Sequence, residues 1–316
     1  MAAAALAAAS WGLMASCCLL VPIHQRALSE AEALSLVLSY RRGAHAADLH
    51  LLHPPSRRPL AERICAWFAQ EHPGEAPVRR LEQPEWAFAS LQSYSALLLS
   101  AEFYQQLHPY AWLLIVQPDA LLLSEAWSGW LAMPHSYIGA PMFAGLEVPV
   151  EPLRLIGGGN GGLSLRHVGH CSAVLEHRGW LYPQLRRYER ATLPHQPWRA
   201  ELRSLRHHLL CRVGRVEQLP LFEDLFWSYV APQLSAAFTV APPEQAMRFA
   251  FEAQPEWLWQ RTGQLPAGCH AYARYGASFW AERFAACPQL VGPHQGAARR
   301  LAAATQALVS LAPSPG

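Results

Sequence analysis

The chain has 316 residues, 52% of them hydrophobic and 15% charged, with a formal net charge of +2. That size and composition support a substantial buried core and exclude a disordered chain, and the near-balanced charge gives no broad pull toward nucleic acid. Its 25 Lys+Arg positions are all arginine, so Schiff-base chemistry and the Walker phosphate loop, both of which need a lysine, are excluded.

Residues 1–17 form an alanine-rich leader without charge. Its length permits a transmembrane helix, but Pro22 interrupts the apolar run, and no basic residue precedes Arg26 as a secretory signal would require. Leu19–Ile23 reads as the first strand. Ser29 then opens a helix through Tyr40, with Glu32 at the capping-box position. Ala47–Leu52 reads as a second strand, Pro59–Gln70 as a helix ending near Pro73 and Gly74, and Val78–Leu81 as a third strand. Tyr94–Leu107 reads as one helix with Leu97, Leu98, Ala101 and Tyr104 on a common face.

Ala111–Val116 is a continuous apolar run, the pattern of a strand buried on both sides. Ser136–Ala140 and Leu163–Arg166 read as short strands flanking a loop. The arginine- and histidine-rich stretch from Arg186 to Arg215 reads as a helix or an excursion. Helices are expected from Leu225 to Val230, just after an acidic pair, and from Glu244 to Glu252. The alternation of strands and helices predicts an α/β fold. A single domain is expected over residues 18–290, followed by a flexible tail over 291–316. The seven cysteines are scattered without a C-x-x-C pair, which favours reduced thiols and a cytoplasmic protein.

Three segments carry the chemistry. Leu113-Leu114-Ile115-Val116-Gln117-Pro118-Asp119 is a strand that stops at one carboxylate, and ligands of open α/β sheets sit beyond such strand ends. A hard divalent cation needs oxygen ligands, few of them from protein when a diphosphate shares the shell, so Asp119 is a candidate metal ligand. Pro118-Asp119 is also ordinary turn chemistry. Gly157 to Gly162 formally matches a dinucleotide fingerprint, but it sits mid-chain and runs on into a strand, which argues against a nicotinamide enzyme. A substrate-lining loop is the better reading, with glycines at 159, 161 and 162 and with Asn160 able to donate and accept hydrogen bonds. Glu223-Asp224 lies in an aromatic run. Burial there raises a carboxylate pKa and suits it to proton abstraction, although an acidic pair also favours a helix N-terminus on dipole grounds alone.

Several segments together resemble the DUF5672 family, whose members look like glycosyltransferases of the GT-A fold, a Rossmann-type sandwich. They include Gln117-Pro118-Asp119, Tyr137-Ile138-Gly139-Ala140-Pro141, Gly159-Asn160-Gly161-Gly162-Leu163-Ser164-Leu165-Arg166, Glu223-Asp224-Leu225-Phe226, Phe249-Ala250-Phe251-Glu252 and Gly268-Cys269-His270. The resemblance implies a mixed, mostly parallel central sheet flanked by helices, a nucleotide-sugar donor, a carbohydrate or other hydroxyl acceptor, and a divalent cation, Mn²⁺ or Mg²⁺. Gln117 replaces the first aspartate of the usual Asp-x-Asp motif, which leaves Asp119 to carry the charge. His270 matches a late histidine that completes the metal shell in some GT-A enzymes. Gln117, Asp119, Gly159, Asn160, Gly161 and Gly162 are then the donor and substrate contacts. Asp224 is the general base of an inverting transfer, and Glu223 orients sugar hydroxyls. The missing aspartate motivates an alternative, a catalytically degenerate fold that binds carbohydrate or nucleotide. Membrane association remains open at this level.

Overall fold

The computed structural model describes residues 17–146, 148–176, 186, 190, 196–212 and 222–311. Most of the alanine-rich leader lies outside these residues, as do parts of the stretch between Arg186 and Arg215.

Strands β1 (Cys17–Pro22), β2 (Asp48–His53), β3 (Arg79–Glu82) and β4 (Trp112–Val116) are followed by the short β5 (Leu121–Leu122). Then come β6 (Tyr137–Gly139), β7 (Met142–Phe143), β8 (Leu155–Gly157) and β9 (Leu163–His167), and finally β10 (Ala250–Phe251) and β11 (Gly268–Cys269). The main sheet runs β3-β2-β1-β4-β9-β6. Its first four strands are parallel, and β9 is antiparallel to both β4 and β6. The chain is thus α/β, with a mixed, largely parallel central sheet flanked by helices.

The apolar runs of β1 and β4 follow from burial on both faces. Cys17, Leu19, Val21, Trp112, Leu114 and Val116 enter one core, while Cys18, Leu20, Leu113 and Ile115 enter the other. The chain leaves β1 toward β2 and β3, then crosses back to lay β4 on the other side of β1. This reversal opens a crevice beyond the carboxyl ends of β1 and β4, the position where open α/β sheets take their ligands.

The first helix, Glu30–Gly43, carries the expected capping box, with Ser29 and Glu32 satisfying each other's backbone N–H groups. The stretch expected to be one helix from Tyr94 to Leu107 is instead two, Leu91–Leu97 and Ala101–Gln106. Ser100 breaks it by accepting a hydrogen bond from the Phe103 N–H and starting a new helix, a local competition that apolar periodicity does not register. The helix expected to reach Glu252 ends at Phe249, because Ala250 and Phe251 pair with β11.

The segment expected to be a flexible tail from residue 291 is a 20-residue helix, Gly292–Leu311. It packs on Glu30–Gly43 and Arg58–Glu71. Ala298, Leu301 and Ala302 are buried in the first core, and the Thr305 hydroxyl accepts from the Leu28 N–H at 3.0 Å. Alanine is the best helix former, so the composition that resembled a fraying tail serves as a close-packing helix. Leu301→Ala is therefore expected to cost about 2–5 kcal/mol in urea unfolding, as burial of a leucine in a packed core predicts.

Candidate functional site

A second, three-stranded sheet, β10-β11-β5, brings three polar side chains to one point. Asp119 precedes β5, Glu252 follows β10 and His270 follows β11. Phe251 pairs in parallel with Cys269, and Cys269 is antiparallel to Leu121, so the residues just outside these pairs converge. The His270 Nδ1 lies 3.1 Å from Glu252 Oε1. Its Nε2 lies 3.1 Å from Gln117 Oε1 and 3.3 Å from Asp119 Oδ1. Burial disfavours the charged imidazole, but the hydrogen bonds and charges of Asp119 and Glu252 outweigh it and raise the His270 pKa to about 9. Partial burial likewise pushes Asp119 up, but the hydrogen bond and charge of His270 hold it below its ordinary value. Ala271, next in the chain, is held at a φ of 47°, a strained conformation for a residue with a side chain.

The glycine segment sits between this cluster and the acidic pair. Positive φ occurs at Gly157 and Gly158 only within the run 157–162. The other glycines are needed for space. A Cβ on Gly161 would strike the Glu223 carboxylate, and one on Gly162 would strike the His270 ring. On Gly159 it would meet the backbone of Gly139. The close approach expected of this loop is thus made first to the chain's own functional side chains. Asn160 Oδ1 accepts from the Gly162 N–H at 2.7 Å, and the Gly162 carbonyl accepts from the Gln117 N–H at 2.8 Å, tying the loop to the end of β4.

Glu223 and Asp224 lie inside a helical turn, Glu223–Leu225, rather than ahead of one, and the turn runs into a π-helical segment, Phe226–Val230. Single π turns inside helices are frequent at functional sites. Phe226 and Trp227 are buried in the second core and anchor the pair, and the Ser228 hydroxyl accepts from the Gly159 N–H at 3.0 Å. Glu223 forms a buried ion pair with Arg166 of β9, whose Nη2 donates to Oε1 at 2.9 Å. Arg166 also donates to the Ser164 hydroxyl, which donates to the Gly161 carbonyl at 2.9 Å. Asp224 accepts from the Leu225 N–H at 2.8 Å. Burial and then the charge of neighbouring Glu223 raise its pKa to about 7.

These groups line a two-lobed cleft. One lobe, of about 460 Å³, lies at the crevice beyond β1 and β4 and is bounded by His24, Glu32, Phe88, Tyr94, Gln117 and Asp119. The other, of about 450 Å³, continues past Gln117 and Asp119 to Asn160, Gly161, Gly162, Glu223, Asp224 and His270. Each lobe has the size of a small-molecule site. The structure brings together every candidate residue of the sequence apart from Gly159, which sits behind the cleft beneath Ser228 and Gly139. Sequence reasoning missed Arg166 and Glu252 as site residues. An arginine ending the alternating strand Leu163-Ser164-Leu165-Arg166 was the signal for the first.

Among the described residues, no group of three or more His, Cys, Asp or Glu is arranged to hold a metal ion. Asp119 and His270 Nε2 face each other and offer two ligands. Glu252 engages the opposite ring nitrogen, the arrangement by which a carboxylate orients a metal-binding imidazole. That donor set suits a cation whose remaining ligands come from a phosphate and water.

A family model described as "Protein of unknown function (DUF5672)" matches residues 76–270, and the chain belongs to that family. The match takes in β4, the glycine segment, the acidic pair and His270, while β1 and β2 precede it. No curated protein matches the chain. No helix among the described residues is long and apolar enough to cross a membrane.

Proposed function

We propose that the cleft binds a nucleotide sugar on a GT-A-like, Rossmann-type sheet. The observation that carries this reading is that the two lobes share Gln117 and Asp119 as wall residues at the switch point of the sheet. The first lobe, with Phe88 and Tyr94 on its wall, suits the nucleoside. The diphosphate then lies near Asp119 and His270, and the sugar lies against Asn160, Gly161 and Gly162. A divalent cation, Mn²⁺ or Mg²⁺, held by Asp119 and His270 would neutralise charge on the diphosphate. Because His270 favours its protonated form, metal binding there would release a proton and weaken as pH falls.

Two readings of this site differ in the fate of the bound donor. In the first, the fold is a carbohydrate- or nucleotide-binding module. Gln117 at the first motif position and the lack of a three-residue metal cluster among the described residues favour it. In the second, the chain is a glycosyltransferase, and the pKa of Asp224 favours that. A carboxylate with its pKa raised to about 7 in the sugar-binding lobe is matched to removing the proton of an acceptor hydroxyl as the glycosidic bond forms, and the Leu225 N–H holds one of its oxygens at 2.8 Å. Calorimetric titration with UDP-, GDP- and TDP-sugars, followed by assay of the same mixtures for free nucleoside diphosphate with sugar acceptors present, separates them. Binding with release supports transfer, binding without release supports the module, and no binding refutes both.

A further inference from the structure

The helix Pro197–Arg212 is not used by the cleft, and its outer face has an unusual composition. Trp198, Leu202, Leu205 and Leu209 are 61%, 62%, 46% and 54% exposed. Their spacing of four, three and four residues places them in one row, about 16 Å long at 1.5 Å per residue. The opposite face is the one that packs inward, through Ala200, Ser204, His207 and His208. A soluble helix normally turns its leucines to that inner face.

Charge surrounds the row asymmetrically. Arg199, Arg203 and Arg206 run along one flank, and the Arg199 guanidinium stacks over the Trp198 ring at 5.1 Å. The helix has a single carboxylate, Glu201, which is bound by Arg186 at 2.6 Å and by Arg190. The face presented to solvent is therefore apolar in its centre and cationic at its edge. An apolar protein partner would match the row alone. An anionic lipid surface matches both parts, because the indole and leucines enter the acyl boundary while arginine stems follow them and keep their heads at the phosphates. The mouth of the second lobe has related chemistry on separate elements, with Leu91, Leu146 and Phe222 exposed at its rim and Val148 beside them.

We propose that Pro197–Arg212 is an interfacial helix that docks the protein on an anionic membrane surface through Trp198, Leu202, Leu205 and Leu209, with Arg199 and Arg206 contacting lipid phosphates. The proposal is independent of whether the cleft transfers sugar. Vesicle flotation of the full chain tests it, with phosphatidylcholine alone or mixed two to one with phosphatidylserine. The wild type is expected to float with the mixed vesicles at low salt, to float less with phosphatidylcholine alone, and to be released by added salt. The tryptophan emission of the wild type should shift to the blue on binding, and Trp198→Phe should remove that shift. Leu202→Glu with Leu209→Glu should remain in solution while keeping the wild-type melt, since both positions are exposed. Arg199→Gln with Arg206→Gln should weaken partition by roughly fivefold for each charge removed. Failure of the wild type to float overturns the proposal. Flotation of the double glutamate variant like wild type also overturns it, since another part of the chain would then carry binding. So does a lipid-free dimer that the same variant dissolves, since a second copy would then be what covers the row.

Discussion

Asp224→Asn is expected to change stability and activity in opposite directions. The folded-state pKa of Asp224, about 7, lies well above the ordinary carboxylate range because the group is buried beside the charge of Glu223. The folded chain therefore binds more protons at this position than the unfolded chain between about pH 4 and 7. The stability contributed by the protonated form is present below about pH 4 and is lost as pH rises through 7. Asparagine keeps the acceptor for the Leu225 N–H and carries no charge. The variant should melt with the wild type near pH 4 and above it at pH 8. If the chain transfers sugar, the same substitution should lower turnover by roughly 10²–10⁴-fold with donor binding retained, the usual loss on removing a general base. Wild-type turnover should then fall about tenfold per pH unit below 7, as the base becomes protonated. Equal melts at pH 8 would show that Asp224 is not strained by its charge, and near-wild-type turnover would remove it from the chemistry.

Arg166→Met has the largest expected effect on the fold. It leaves the Glu223 carboxylate buried without its cation, and breaking a buried pair in this way costs about 3–5 kcal/mol. The double variant Arg166→Met with Glu223→Gln should recover much of that loss, because no charge is left in the interior. Denaturant midpoints of the two single variants and the double variant measure the coupling. A loss below about 1 kcal/mol for Arg166→Met would mean that Glu223 takes up its proton or finds water instead. An ion pair this deeply buried adds little net stability over a well-packed apolar pair. Its use here is placement, since it sets the Glu223 oxygen directly over Gly161, where no Cβ can stand.

How much of this could be read beforehand depended on how local the determinants were. The buried strands around Leu19 and Leu114 declared themselves by continuous apolar runs, and the first helix by Ser29 and Glu32. Asp119 and the Glu223-Asp224 pair were visible as carboxylates in apolar surroundings. The Glu252–His270–Asp119 alignment was not visible, because it depends on the register of three two-residue strands far apart in sequence. The reason for Gly161 and Gly162 was hidden for the same cause, since their missing Cβ atoms make room for side chains 62 and 108 positions away. The C-terminal helix was misread because alanine-rich sequence suits a solvated tail and a tightly packed helix equally, and only the neighbouring helices decide between them.

The most direct test of the nucleotide-sugar site is a thermal-shift screen of UDP-, GDP- and TDP-sugars, each with and without Mn²⁺, on wild type and Asp119→Ala. A ligand at ~100 times its dissociation constant adds about 2.7 kcal/mol of stability, enough to move the melt clearly. The melt should rise with one nucleotide class, and that rise should be reduced or lost in Asp119→Ala. A folded wild type whose melt moves with none of the donors would contradict it.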